Sequence, residues 1–416
     1  MDVLRLILDE MTVMMDQSRN PEPIPFSAFQ FIPDDEAGSI IAELVRVGVD
    51  VHGPGDVKAL GAPIDNGHWR QESRGASMTP LRWAVENHRP AIVKALLDHG
   101  AEFPCLPDVQ TNIDSFSEIF SRQQATIHTD SDDEMFHAAV ANGHLEIVEY
   151  LVLRGVSVEW RCRGLTPLLT AVLHGQWSIF GYLLGAGADL AAVTTRRGIS
   201  ASHLIFWRSK PAEMEDHVLS ELIKRGNDVH ARGTPFGEKV SPLHLAVIGG
   251  RISAVATLLE YGADKLLVLG EEVMTSVVGA SLTDWGIWRS ERFYRPWREP
   301  WRDPVTVPIQ GLTALGIVLR RWDMFTPEDA LRLVQLLCTP RDFYVRPNIR
   351  QTAVHLACCH TVLVGAGVVE YILEQGRDAG LHVNIRDING DTPLHYAAAC
   401  GGGRRRLVLL GADAGC

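Results

Sequence analysis

Five short boxes recur along this chain, each followed by an apolar helix-forming run and a glycine. That recurrence leaves little freedom about what the chain can fold into. Ser241-Pro242-Leu243-His244-Leu245-Ala246 and Thr392-Pro393-Leu394-His395-Tyr396-Ala397 are the clearest copies. Thr79-Pro80-Leu81-Arg82-Trp83-Ala84 and Thr166-Pro167-Leu168-Leu169-Thr170-Ala171 lack only the histidine, and Gln351-Thr352-Ala353-Val354-His355-Leu356-Ala357 lacks the proline. Weaker copies start at Glu134, Ser200 and Thr313. Aligned on the threonine position, successive boxes are 55, 32, 34, 41, 72, 39 and 40 residues apart. Two spacings fall on a period of about 33 residues, three run slightly long, and two carry insertions.

Each part of the box has a physical task. Thr or Ser caps a helix start by accepting from an otherwise unpaired amide. Proline suits the first helical position, where its missing N–H is not needed. Leu and the paired Ala residues then make a narrow apolar face. A second helix carries Ile92-Val93-Lys94-Ala95-Leu96-Leu97 or Ile147-Val148-Glu149-Tyr150-Leu151-Val152, whose three- and four-residue spacing places the apolar side chains on one face. Gly100, Gly155, Gly187, Gly226, Gly262 and Gly376 stand where a helix needs a left-handed residue to stop.

With these residues the chain resembles the ankyrin-repeat family from about residue 24 to the end. The resemblance implies an all-α solenoid of helix–turn–helix units joined by hairpin-like turns, interrupted here by two long insertions. It implies a concave face and exposed hairpin tips that bind other proteins. Such units are stabilised by nearest-neighbour stacking, since one repeat cannot bury its own apolar surface. The expected organisation is a capping helix and linker over 1–24, then repeats over 25–265 with an insertion at 103–132. A Trp/Arg-rich insertion follows over 266–310, and then repeats over 311–416, the last shortened. The first repeat is degenerate, with Ile40, Ile41, Leu44 and Val45 marking its second helix.

Composition narrows the function. A net charge of -12 in 416 residues argues against general affinity for nucleic acid or anionic membrane. The best apolar stretch, Thr361 to Tyr371, is too short to cross a bilayer. Met1 to Glu10 carries an acid at its start and no small-residue cleavage site, so it does not read as a secretory signal. Seven scattered cysteines contain no CxxC pair, which suits a reduced cytoplasm or nucleus.

The two insertions read differently. Phe103 to Asp132 is an extended segment with an amphipathic stretch at Phe116, Ile119 and Phe120, and it ends in acids that favour a helix start. Between Asp284 and Arg302 lie four of the ten tryptophans and five arginines. Arg over an aromatic face is worth about 0.5–1 kcal/mol when exposed. Three readings stay open there: packing along the repeats, presentation of Trp288, Trp297 and Trp301 to a partner, or stacking on single-stranded nucleic acid. The interspersed Glu291, Glu299 and Asp303 weaken the last.

No P-loop, GxSxG, HExxH or kinase signature occurs, so no catalytic residue, metal site or cofactor is expected. By resemblance the box histidines, His137, His203, His244, His355 and His395, have a structural role, their rings bonding backbone and hydroxyl groups between repeats. Cys358-Cys359-His360 looks like ligands in a row, but adjacent helical residues point in different directions. Basic residues cluster just before the boxes, at Arg74, Arg161, Arg163, Arg196, Arg197, Lys239, Arg346 and Arg350. They predict a locally positive rim that favours an acidic peptide or protein surface. The competing view is of solvated tips that tolerate any charge. The sequence thus points to a non-enzymatic interaction scaffold or adaptor. The alternative is a substrate-recognition subunit of a protein-modifying complex such as a ubiquitin ligase, although no recruitment motif outside the repeats is recognisable.

Overall fold

The computed structural model describes residues 32–47, 55–56, 77–101, 134–195, 197–207, 215–233, 239–269, 312–320, 325–339, 343–346, 350–359 and 367–400. The expected capping segment, all of the first insertion and most of the Trp/Arg-rich insertion, from 270 on, lie outside them. The chain forms two compact units, 1–189 and 190–416.

In the first unit α1 (Ala37–Val47) is followed by β1 (Gly55–Asp56), β2 (Ser77–Met78), α2 (Pro80–Glu86) and α3 (Pro90–Asp98). Two further helix pairs follow: α4 (Met135–Asn142) with α5 (Leu145–Leu153), and α6 (Pro167–His174) with α7 (Trp177–Gly185). β1 and β2 pair antiparallel, Gly55 opposite Met78. The boxed helices α2, α4 and α6 pack on one another in sequence, while the second helices α1, α3, α5 and α7 form the other layer. Ile40, Ile41 and Leu44 of α1 are buried, as Ile92, Leu96, Ile147 and Leu151 are in the helices stacked after it. Burying each such side chain stabilises the stack by about 1.5–3 kcal/mol.

The second unit repeats the scheme. Its boxed helices are α8 (Ala201–Leu204), α10 (Pro242–Ile248), α12 (Ala314–Arg320), α14 (Ala353–Ala357) and α16 (Pro393–Cys400). The second helices are α9 (Glu215–Lys224), α11 (Ile252–Glu260), α13 (Pro327–Leu337) and α15 (Val368–Gly376). β3 (Tyr344–Arg346) and β4 (Gln351–Thr352) form a short antiparallel hairpin with an irregular register. Isolated antiparallel bridges join Gly233 to Val240 and Val268 to Thr313.

All eight aligned box positions sit one residue before a helix. Thr79, Thr166 and Ser241 accept from the amide three residues on. Gly100, Gly155, Gly187, Gly226 and Gly262 close second helices with φ between 85 and 97°. Gly376 does not. Its φ is -90°, α15 runs on into a 3₁₀ turn at Arg377–Ala379, and Gly380 is the left-handed residue, with φ 79°. Gly376 is needed for space instead: a Cβ there would lie 2.5 Å from Leu381 Cδ2 and 2.6 Å from its Cβ.

Candidate interaction surface

Repeat joints are built from the box histidines outward. Each stands three residues into its helix, next to the capping hydroxyl. His203 Nδ1 is 2.7 Å from Ser200 Oγ, His244 Nδ1 2.7 Å from Ser241 Oγ, and His355 Nδ1 2.7 Å from Thr352 Oγ1. The hydroxyl bond therefore lies inside the box. The link to the next repeat is the other nitrogen: His203 Nε2 reaches Val240 O at 2.9 Å, His244 Leu267 O at 3.1 Å and His355 Asp391 O at 3.1 Å. His395 Nδ1 repeats the pattern with Thr392 Oγ1 at 2.7 Å. His137 departs from it because Glu134 replaces the capping hydroxyl. Its Nδ1 lies 2.8 Å from Thr170 Oγ1, one repeat on, and its Nε2 2.8 Å from Trp160 O.

This geometry suits a neutral imidazole, which donates from Nε2 to a carbonyl and accepts at Nδ1. In His244 the Ser241 amide also points at Nδ1, from 3.4 Å, and a second ring proton would oppose it. Burial drives His137, His203 and His244 down to about 4, although the bonded carbonyls pull the other way. His355 is lowered too, again by burial first.

Three boxes lack the histidine. Arg82 takes its place in α2 and pairs with Glu86 at 3.1 Å, both almost wholly buried. Leu169 and Gly316 occupy it in α6 and α12. At Gly316 a Cβ would meet Leu312 Cδ2 at 2.8 Å, so the missing side chain lets the Leu312–Val345 hairpin region close in. There the Thr313 amide donates to Val345 O at 3.0 Å.

A second row of inter-repeat bonds was not foreseen from the residues. The residue before each of α3, α5 and α7 reaches back to the preceding repeat. His144 donates from Nδ1 to Val85 O at 2.9 Å, and Gln176 donates from Nε2 to Ala141 O at 2.8 Å. Arg89 bonds Ile32 O and Asp34. These add acceptor bonds to carbonyls near helix and chain ends, where intrahelical partners run out. The available signal was a polar donor at the same place in each repeat: Arg89, His144, Gln176. His144 also stacks on His88, ring centroids 4.4 Å apart, and its pKa is lowered by burial and by that neighbour.

Apart from α16, whose Ala398 and Ala399 are exposed, the boxed helices offer little surface. Every residue from Pro80 to Glu86, from Met135 to Ala141 and from Pro167 to Leu173 is buried. What the described residues expose to a partner is chiefly the second helices and the hairpins. In the last hairpin Asp387 Oδ1 accepts from the amides of Asn389 and Asp391, and Tyr396 donates to Oδ2 at 2.8 Å. Burial alone would raise Asp387, but those donors hold it below the usual carboxylate range. Burial and Asp387 together push Tyr396 up to about 12. That network holds the turn rigid while Ile388 at its tip stays 61% exposed.

Among the basic residues singled out in the sequence, Arg163 is drawn inward. It adopts φ 50° and makes two bonds to Glu134, at 2.8 and 2.9 Å. Arg161 is exposed, with Nη1 3.5 Å from Gly164 O. Arg197 is half-buried, and Lys239 and Arg350 are exposed. Arg74, Arg196, Trp288, Trp297 and Trp301 lie outside the described residues. Among the described residues, no three His, Cys, Asp or Glu side chains gather as a metal would need. Cys358 and Cys359 are buried, and burial followed by the Glu370 charge pushes the Cys358 thiol far up. Among the described residues no helix is long and apolar enough to cross a membrane.

Paired short helices stacked in two layers, with capped starts and hairpin turns, define a helical-repeat protein. The particular class follows from comparison: a profile for ankyrin repeats in three copies matches residues 109–194, and a single-repeat profile matches 77–111 and 239–268. This chain contains ankyrin repeats, which are in general non-enzymatic protein–protein interaction modules. It is 29% identical over 174 residues to the E3 ubiquitin-protein ligase XBAT32 of Arabidopsis thaliana, covering 35% of this chain and 32% of that protein. It is 28% identical over 169 residues to the probable E3 ubiquitin-protein ligase XBOS32 of Oryza sativa subsp. japonica, covering 35% and 34%. The nuclear factor NF-kappa-B p105 subunit of Rattus norvegicus is 27% identical over 150 residues, covering 34% and 15%. The chain thus spans about a third of the length of the two ligases it matches.

Proposed function

We propose that this chain is a non-enzymatic scaffold or adaptor that holds protein partners on its hairpin tips and the concave side such a stack presents. The observation that supports this most is the division of labour among the described residues. The boxed helices α2, α4 and α6 are buried along nearly their whole length, and box histidines of the second unit are bonded to the next repeat. The hairpins carry the exposed, chemically varied side chains. Crosslinking of the intact chain to partners captured from the native cell, read by mass spectrometry, should place crosslinks on hairpin residues. Crosslinks confined to α3, α5 and α7, or turnover of a small molecule by purified chain, would overturn the proposal.

A second reading is supported by the similarity to two ubiquitin-protein ligases over 35% of this chain. In it, the repeats recognise a substrate for a modifying complex. Ligase subunits recovered stoichiometrically with the chain would favour it over a plain scaffold. A cytoplasmic or nuclear location is part of both readings, and imaging of the tagged chain tests it.

A further inference from the structure

We infer that Asn389, at the tip of the last hairpin, is a spontaneous modification site at which water converts the side-chain amide to a carboxylate. The chemistry needs only what the turn supplies, whatever the chain binds. In an Asn-Gly pair the glycine nitrogen can attack the asparagine side-chain carbonyl carbon, because no side chain on the glycine crowds it. The Gly390 N–H gives its proton to water or hydroxide, and a bond forms from Gly390 N to Asn389 Cγ. The Cγ–Nδ2 bond breaks, and the departing nitrogen takes up a proton and leaves as ammonia. A five-membered imide ring remains, and water opens it at either carbonyl. Opening at Cγ leaves aspartate on an ordinary backbone. Opening at the backbone carbonyl leaves isoaspartate, with the chain routed through Cβ and Cγ.

Asn-Gly occurs three times in the chain, at 66–67, 142–143 and 389–390. The first pair lies outside the described residues, and the other two stand in opposite surroundings. Asn142 ends α4, and the Gly143 amide is bonded to Ala139 O and Val140 O. Gln176 of the next repeat covers it: a Cβ on Gly143 would lie 2.8 Å from Gln176 Oε1. Reaction there requires melting a helix end beneath a stacked repeat. Asn389, by contrast, is exposed. Gly390 has φ 85°, and a Cβ on it would meet nothing nearer than Arg386 Nη1 at 4.0 Å. That guanidinium donates to Gly390 O at 2.8 Å, so a positive charge sits beside the residue whose amide must lose its proton.

The turn itself holds the reaction back. The Gly390 amide donates to Asp387 O at 3.1 Å, and that bond must open before the nitrogen can attack. Asp387 keeps the turn closed: its Oδ1 accepts from the Asn389 and Asp391 amides, and Tyr396 holds Oδ2. Tyr396 is in turn held by Gln351, whose Nε2 donates to its hydroxyl at 3.0 Å. Reaction therefore proceeds from the small fraction of molecules whose turn is open, and the strength of this network sets the rate. The product acts back on the network. Isoaspartate lengthens the backbone between Ile388 and Gly390, so the amides of residues 389 and 391 no longer both reach Asp387 Oδ1. Asp391 O, the acceptor of His355 Nε2 at 3.1 Å, shifts with them. The last box helix then loosens from the repeat before it.

The test is peptide mapping by mass spectrometry of the intact folded chain kept at mildly alkaline pH, with isoaspartate counted by an isoaspartyl methyltransferase. Acid should accumulate at position 389 while Asn142 stays an amide. Tyr396→Phe, which removes a donor from Asp387, should speed the conversion about fivefold, the worth of one ordinary hydrogen bond. Gln351→Ala, which loosens Tyr396, should speed it as well and serves if the phenylalanine variant does not fold. Asn389→Gln should abolish the conversion, since a six-membered ring closes far more slowly. Aged chain should lose hydrogen-exchange protection in α16, and the Asn389→Asp variant, with its ordinary backbone, should keep it. Circular dichroism checks that each variant is folded. Conversion at 142 as fast as at 389, or a rate at 389 that neither variant moves, would overturn the inference. So would an intact Asn389 in the folded chain after the same chain in urea has converted.

Discussion

The two units close the same box by different chemistry. The second repeats one device: in four of its boxes a histidine accepts from its own capping Ser or Thr, and three of those rings also reach a carbonyl of the next hairpin. The first unit keeps a single box histidine, His137, and uses charge elsewhere: the buried Arg82–Glu86 pair and the half-buried Arg163–Glu134 pair. A neutral imidazole gives one donor and one acceptor with little desolvation cost. A buried ion pair gives strong bonds but leaves a costly orphan if either partner is lost. The repeats accept both, and Leu169 and Gly316 at the same position show that a polar side chain there is not required.

The largest expected effect breaks the charged version. Glu86→Ala leaves the Arg82 guanidinium buried without its carboxylate and should destabilise the first unit by about 3–5 kcal/mol. Urea unfolding followed by hydrogen exchange would read this, and the double variant Arg82→Leu/Glu86→Leu should recover most of it. A single variant with no measurable loss would remove the contrast.

Next comes the neutral version. His244→Ala strands Ser241 and Leu267 O and opens a cavity, for about 2–4 kcal/mol. Exchange protection in α10 and its hairpin should fall, with α2 and α3 unchanged.

Acid sharpens the comparison. His137, His203 and His244 are held near 4 in the fold, below the ordinary value of about 6.5. The unfolded chain therefore binds more protons between those values. Stability is fully present above about 6.5 and is lost as pH falls towards 4, by about 1 kcal/mol per pH unit for each histidine. The second unit, with two such groups and a lowered His355, should lose exchange protection more steeply than the first, which has His137 and a lowered His144. Equal slopes would contradict the assignment.

The smallest effect lies on the outer layer of the first unit. Tyr150 donates to Asp98 at 2.9 Å, with Lys94 and Arg154 over its ring. These groups are largely exposed, so Tyr150→Phe should cost no more than about 1 kcal/mol in thermal unfolding.

Helix starts were legible because capping is local. Thr79, Thr166 and Ser241 carry their own hydroxyl to the amide three residues on, and proline presets the backbone after them. Even Glu134 and Thr313, with poor boxes, precede helices where the repeat placed them. Gly376 was misread because its neighbourhood shows only that a helix ends nearby. Contact with Leu381 decides that the glycine serves space and that Gly380 makes the turn. The basic tips were legible as composition but not as geometry, since nothing near Arg163 in the chain announces Glu134, 29 residues earlier.

The sequence alone determined the repeat, its helix starts and most of its stops, because those depend on side chains within one turn of the backbone they serve. Tertiary structure decided which repeat each donor serves. His137 turns to Thr170, His144 and Gln176 reach back to carbonyls of the preceding repeat, and Arg163 leaves the rim for Glu134. Those partners lie about a repeat or more away in the chain, and only stacking brings them within hydrogen-bonding distance.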